Sequence, residues 1–162
     1  MKKIIPRGAS PEREVVPVAR KREALLYVED DDDNWVVTEL RLRNVYELVR
    51  AATSEQACSV LAQRGREFAA ILMDIELRDS ELNGVELTQL LRGKSTRQNL
   101  PAYARTAPVL ETPILFVTAH GAKYSDAFLL NAGGSKVIPK PVNFGELNIA
   151  LTQLHLARVR QR

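Results

Sequence analysis

Short apolar runs alternate with helix-like segments along most of this chain. Five segments have the length of strands; the first four are apolar or alternating and are followed by polar or charged residues, and the fifth is mixed and is followed by Pro139 and Lys140. They span residues 24–28, 45–49, 69–73, 113–117 and 135–138. Because strands that alternate with helices favour parallel pairing, the pattern predicts an α/β fold with a doubly wound, five-stranded parallel sheet and helices on both faces.

The segments between and after these runs carry apolar residues at helical spacing, which predicts five helices. We expect Asp32 or Asp33 to cap the first helix. The predicted starts of the other helices are Thr53 or Ser54, Gly84, about Lys123, and Asn143 or Phe144. We expect the last helix to turn an apolar stripe inward, formed by Leu147, Ile149, Leu151, Leu154 and Leu156. Residues 93–112 show little pattern and predict an extended loop before the fourth strand.

The composition is that of a globular domain, since 45% of the 162 residues are hydrophobic and 27% are charged. No apolar run approaches the ~20 residues of a membrane-spanning helix, and the basic start lacks the apolar region of a signal peptide. A single cysteine, Cys58, excludes an internal disulfide, and its apolar neighbours indicate an unreactive core thiol. A cytoplasmic location is the resulting expectation.

The net charge of +3 is concentrated at the start of the chain. Residues 1–23 contain seven basic and three acidic residues, whereas the rest contains 16 basic and 17 acidic residues. Residues 1–22 also contain three prolines and no sustained periodicity. We therefore expect a flexible basic tail over 1–22, either solvated or in contact with nucleic acid or lipid, followed by one domain over 23–160.

Four of the predicted strands end in residues with complementary chemistry. Glu29 and Asp30 follow the first strand, and Asp74 follows the third. Thr118 follows the fourth strand, and Lys140 follows the fifth. In a parallel sheet these ends meet at one edge, where crowded carboxylates suit a hard cation such as Mg2+ and a lysine suits phosphate oxygens. Since a carboxylate can be a nucleophile, these residues predict Mg2+-assisted phosphorylation of Asp74.

Five stretches of the chain, in order, resemble the receiver domain of two-component response regulators. They span residues 25–31, 71–75, 82–87, 113–119 and 138–142, and the resemblance covers about residues 23–158. It implies a flavodoxin-like fold and a stand-alone, single-domain type of regulator. It also implies that Asp74 is the phosphoacceptor, that Thr118 is the switch hydroxyl and that Lys140 is the phosphate-binding lysine.

The resemblance implies a metal site as well. Glu29 and Asp30 look like the acidic pair that binds Mg2+ together with Asp74, and Glu76 would offer its backbone carbonyl to the ion. The bond before Pro141 is a candidate for a cis peptide, as it often is in this family.

The implied function is a phosphorylation-dependent signalling switch that assists its own phosphorylation and dephosphorylation and is not an enzyme in the usual sense. A histidine kinase or phosphotransfer protein would donate the phosphoryl group. The output would pass through protein partners, since we expect neither a DNA-binding domain nor a membrane span. A homodimer is compatible with this function.

Two other classes of function stay open at this point. The family usually has an aromatic residue on the fifth strand where this chain has Val137, and the loop after Asp74 is longer and lacks a frequent proline. Both departures favour a receiver-like interaction scaffold that works without phosphorylation. The third class is a phosphohydrolase with an aspartyl nucleophile, which commonly has a second aspartate where Glu76 stands.

Overall fold

The predicted strands and helices are all present, although their boundaries shift by a few residues. The computed structural model describes residues 21–119 and 123–160, so the predicted tail lies outside the described residues except for Lys21 and Arg22. In chain order the elements are β1 Glu23–Val28, α1 Asp32–Leu42, β2 Tyr46–Ala51, α2 Ser54–Arg64, β3 Phe68–Asp74, α3 Gly84–Leu91, a 3-10 helix Ala102–Thr106, β4 Ile114–Ala119, α4 Asp126–Ala132, β5 Lys136–Lys140 and α5 Phe144–Arg160.

The described strands form a parallel sheet in the order β2-β1-β3-β4-β5. The chain moves from β1 outward to β2 and then returns past β1 to β3, β4 and β5. This reversal makes a crevice at the carboxyl ends of β1 and β3, the place where open α/β sheets bind ligands. The predicted doubly wound, flavodoxin-like fold is confirmed.

Both faces of the sheet are buried, because successive residues of a strand point to opposite sides. On β1, Leu26 and Val28 pack in the same cluster as residues of α2, α3 and α4. Leu25 and Tyr27 pack instead with residues of α1 and α5. All four side chains are 1% exposed or less. The central strands are therefore held between two apolar layers, which fixes the position of the residues at their ends.

The cap of α1 differs from the prediction. Asp31, rather than Asp32 or Asp33, is the capping residue, since its carboxylate accepts a hydrogen bond from the Asn34 N–H at 2.9 Å. The capping residue therefore precedes both expected positions, although the helix itself begins at Asp32.

Helix α5 buries a narrower stripe than predicted. Leu147, Ala150 and Leu151 are buried, whereas Ile149 is 59% and Leu156 is 49% exposed. The buried residues recur at spacings of three and four, which keeps them on one helix face, and Ile149 and Leu156 lie off that face. None of the helices in the described ranges combines the length and apolarity that a bilayer crossing requires.

The segment 93–112 is more ordered than the predicted loop, since it contains the 3-10 helix. Ala104 is buried, and the Tyr103 hydroxyl lies 2.7 Å from the Ser54 hydroxyl in a hydrogen bond. These contacts pack the segment against the start of α2, next to the loop that follows β3.

Candidate functional site

The strand ends bring the predicted site residues together at one edge of the sheet. Asp74 is the last residue of β3, and Lys140 is the last residue of β5. Glu29 and Asp30 directly follow β1, and Thr118 lies near the end of β4. Carboxylate oxygens of Glu29, Asp30 and Asp74 lie within 4.8 Å of one another. The structure therefore places a cluster of three carboxylates beside a lysine.

Lys140 links two of these carboxylates. Its Nζ donates hydrogen bonds to Glu29 Oε2 and to Asp74 Oδ2, each at 2.9 Å. Burial lowers the pKa of Lys140, but the hydrogen bonds and charges of Glu29 and Asp74 more than offset this, so the pKa lies above its ordinary value. The ammonium is therefore charged. The peptide bond between Lys140 and Pro141 is cis, as predicted.

Glu29 is fully buried and is satisfied by polar partners. Its exposed fraction is 0%, and its carboxylate also accepts from the Tyr27 hydroxyl at 2.7 Å and the Asp31 N–H at 3.1 Å. Burial, and then the charge of Glu29, raise the pKa of Tyr27. The phenol therefore stays protonated and donates a hydrogen bond to Glu29. Sequence reasoning missed Tyr27. Its place two residues before Glu29, on the same side of the strand, is the signal that could have indicated the contact.

Asp74 is 8% exposed and lines the cleft at the sheet edge. Burial raises the pKa of Asp74, the hydrogen bond from Lys140 opposes that rise, and the charge of Glu29 adds to it, giving about 6. At pH 7 the carboxylate is still mostly ionised, as a nucleophile must be. Asp74 thus combines low hydration with a negative charge and a neighbouring cation.

A glycine allows the start of α3 to approach Asp74 closely. A Cβ added at Gly84 would lie 1.9 Å from the carbonyl oxygen of Asp74. The Gly84 N–H donates to the Ile75 carbonyl at 2.8 Å, and Asn83 and Glu86 form a reciprocal cap at the helix start. The loop that follows the candidate phosphoacceptor is therefore anchored at its far end.

The cluster opens into a cleft of about 450 Å3. Thr118 lines this cleft and is 9% exposed, and its hydroxyl donates to the Ala119 carbonyl at 3.4 Å. Glu76 also lines the cleft, with an exposed side chain. The switch role of Thr118 and the metal contact of the Glu76 carbonyl stay predictions.

Sequence reasoning also missed Arg78, which contacts Asp30 and the neighbouring Asp31 directly. Its Nε donates to Asp30 Oδ2 at 2.6 Å, and its Nη2 donates to Asp31 Oδ2 at 3.3 Å. Arg78 is the only basic residue between Asp74 and Gly84. A lone positive charge in an acidic loop is the signal that could have indicated an ion pair with the acids after β1.

The donor set fits a hard divalent cation. Glu29, Asp30 and Asp74 offer the carboxylate oxygens that Mg2+ prefers, and their mutual repulsion would be relieved by a cation. Lys140 and Arg78 supply two positive charges against these three carboxylates, so the cluster keeps an excess of negative charge.

Comparison with known proteins agrees with this geometry. The sequence model of the family described as "Response regulator receiver domain" matches residues 25–152. A candidate response regulator from Chloroflexus aurantiacus J-10-fl is 28% identical, and the match covers 84% of this chain and 99% of that chain with a TM-score of 0.64. The receiver domain of a sensor histidine kinase from Pseudomonas aeruginosa PAO1, with a magnesium ion in its active-site cleft, is 27% identical, with 83% and 98% covered and a TM-score of 0.64.

A receiver domain protein from Clostridium thermocellum supports the fold alone, at 14% identity and a TM-score of 0.69 over 86% of this chain and 98% of that chain. No curated protein matches the sequence. The family model matches most of the chain, so the chain belongs to the response regulator receiver domain family. Members of this family act as phosphoacceptor switches in two-component signalling rather than as enzymes with a separate substrate.

Proposed function

We propose that this protein is a signalling switch in which Asp74 accepts a phosphoryl group from a histidine kinase or phosphotransfer protein. The observation that carries the proposal is the position of Asp74, at the end of β3 and beside Glu29, Asp30 and Lys140. Residues 23–160 are the signalling unit in this proposal. An ionised carboxylate beside a lysine provides both a nucleophile and a positive charge for the phosphate oxygens.

In this proposal Glu29, Asp30, Asp74 and the backbone carbonyl of Glu76 hold a Mg2+ ion. The spacing of the three carboxylates supports the assignment, as does the magnesium ion in the similar domain from Pseudomonas aeruginosa. When bound, the ion would supply positive charge that neutralises phosphate oxygens.

The chemical step is a displacement at phosphorus. A carboxylate oxygen of Asp74 forms a bond to phosphorus while the bond from phosphorus to the donor atom breaks, and that atom leaves with the electron pair. Lys140 shifts a hydrogen bond from Asp74 to an oxygen of the transferred group. Thr118 lines the same cleft and turns its hydroxyl from Ala119 toward another phosphate oxygen.

The output follows from the added charge. A phosphoryl group brings roughly −1.5 to −2 charge at pH 7, next to carboxylates that are already negative. This charge favours one of two arrangements of the surface around β4 and β5, which is a population shift between existing states. The favoured arrangement then binds a downstream protein or a second copy of the chain.

Intact-mass spectrometry after incubation with Mg2+ and acetyl phosphate tests the proposal. We expect one phosphoryl adduct on the wild type, and none on Asp74→Asn or in the absence of Mg2+. Asp79→Asn is the matched control, because Asp79 is an exposed aspartate in the same loop and its variant should still be modified. The absence of an adduct with acetyl phosphate, phosphoramidate and a phosphorylated phosphotransfer protein would contradict the proposal.

One observation favours the second function, a scaffold that works without phosphorylation. Val137 is half-buried on β5, and it packs against the cluster formed with α2, α3 and α4 where the family usually has an aromatic ring. Because Val137 is smaller than an aromatic ring, a movement of the Thr118 hydroxyl would displace less of the surface around β5. If beryllofluoride with Mg2+ leaves the amide spectrum unchanged, the scaffold function is the better account.

A further inference from the structure

A positive side chain of the protein itself contacts Asp30, one of the three carboxylates of the site. Arg78 lies in the loop 75–83 between β3 and α3, and its Nε donates to Asp30 Oδ2 at 2.6 Å. The backbone N–H of Arg78 donates to the same oxygen at 3.1 Å. Its Nη2 reaches Asp31 Oδ2 at 3.3 Å. The guanidinium therefore bridges two acids at the position where a cation would bind Asp30.

The two partners of this ion pair differ in exposure. The Arg78 side chain is 71% exposed, whereas that of Asp30 is 12% exposed. The carboxylate is thus held inside the cleft, while the guanidinium lies at its rim in contact with water. Arg78 can leave the pair by rotation of its side chain, since little of it is packed, and Asp30 stays in place.

Contacts on the far side of the loop hold Arg78 beside Asp30 and Asp31. Ser80 Oγ accepts a hydrogen bond from the Ser54 N–H at 3.0 Å, which ties the loop to the start of α2. The Glu81 carbonyl accepts from Arg97 Nη1 at 2.9 Å, which ties the loop to the segment 93–112. Because the backbone is anchored in this way, the Arg78 side chain stays within reach of the same carboxylates.

We propose that Arg78 is an intramolecular competitor of the divalent cation at this site. The inference rests on the proposed function, because it takes Glu29, Asp30 and Asp74 as the metal site. In the metal-free protein the guanidinium neutralises Asp30. When a cation binds, the guanidinium leaves Asp30 and either stays with Asp31 or enters the solvent. The site therefore loads at a higher Mg2+ concentration than its carboxylates alone would require.

Calorimetric titration of the full chain with MgCl2 measures this competition. Because ion pairs with an exposed partner contribute modestly, Arg78→Gln should tighten Mg2+ binding by roughly two- to fivefold. Arg66→Gln is the matched control, because it removes the same charge from an exposed arginine beside the start of β3, at the opposite edge of the sheet. The Arg66→Gln variant should bind Mg2+ with the same dissociation constant as the wild type.

A spectroscopic measurement separates displacement from a general effect of charge. The Nε–H resonance of Arg78, identified by its loss in Arg78→Lys, reports the hydrogen bond to Asp30. We expect this resonance to shift in proportion to Mg2+ saturation as the guanidinium leaves. An unchanged resonance at full saturation would overturn the inference even if the variant bound Mg2+ more tightly.

The outcomes also separate this inference from the proposed function. If the wild type and Arg78→Gln bind Mg2+ equally, while Asp30→Asn loses binding, the competition is refuted and the metal site stands. If the wild type and Arg78→Gln both fail to bind Mg2+, the proposed metal site is refuted together with the competition. Tighter binding by Arg78→Gln, combined with displacement of the Arg78 resonance in the wild type, supports the inference.

Discussion

Replacement of Lys140 by methionine tests the electrostatic account of the site. Methionine keeps an apolar stem of similar length but removes the ammonium that donates to Glu29 and Asp74 at 2.9 Å each. The side chain of Glu29 is 0% exposed and that of Asp74 is 11% exposed, so water has little access to replace the lost donor. In the metal-free variant two neighbouring carboxylates would share a site without the ammonium between them.

The expected loss of stability follows from this burial. Removal of one partner from a buried ion pair costs about 3–5 kcal/mol, because the remaining charge stays desolvated. The Lys140 side chain is itself 18% exposed, which places the expected loss near the lower limit, about 3 kcal/mol. With a slope of about 2 kcal/mol per molar urea, the unfolding midpoint should fall by about 1.5 M.

Urea unfolding in metal-free buffer, followed by the fluorescence of the single tryptophan Trp35, provides the measurement. Lys136→Met is the matched control, because Lys136 is exposed at the start of the same strand, and its loss should stay below about 0.5 kcal/mol. Saturating Mg2+ should reduce the loss in Lys140→Met, since the ion replaces part of the missing positive charge. Equal midpoints for the two variants without metal would refute the reasoning.

Two further predictions concern the packing around the site. Gly84→Ala places a Cβ 1.9 Å from a backbone carbonyl and should lower the free energy of unfolding by about 2–3 kcal/mol. Gly145→Ala, whose nearest atom is a side-chain oxygen at 3.2 Å, should be neutral or stabilising in the same urea titration, and an equal loss in both variants would contradict the steric argument. Cys58 is 2% exposed, and burial raises its pKa to about 11, so only about one thiol in a thousand is ionised at pH 8. Labelling by an aromatic disulfide reagent should be slow in the native protein and fast in urea, and fast native labelling would show that the thiol is accessible.

The strands and helices could be predicted because each has a signal within its own segment. The apolar runs around Ile71 and Phe116 are too short for helices and too apolar for loops, and both residues are fully buried in the sheet. The alternation of strands and helices then restricted the topology to parallel pairing with right-handed crossovers. The boundaries shifted because the last hydrogen bonds of a strand depend on its neighbours in the sheet.

Two features could not be predicted in the same way: which apolar residues of α5 are buried, and the presence of a 3-10 helix in the segment 93–112. Ile149 and Leu156 are as apolar as Leu147, and only the contact with the sheet decides which of them is covered. The 3-10 helix contacts α2 through a hydrogen bond between Tyr103 and Ser54, which are 49 residues apart. In both cases the decisive partner lies on another element.

In the candidate site, too, some features could be predicted from the sequence and others could not. The sequence by itself determined which residues stand at the strand ends, because Asp74 and Lys140 each follow an apolar run that marks the strand. Only the tertiary structure decided their partners: Lys140 meets Glu29 across 111 residues of chain, and Arg78 meets Asp30 across 48. These contacts depend on strand order and on the course of a loop, which no local pattern encodes. Their strength depends on burial, since the same charges would interact weakly in water.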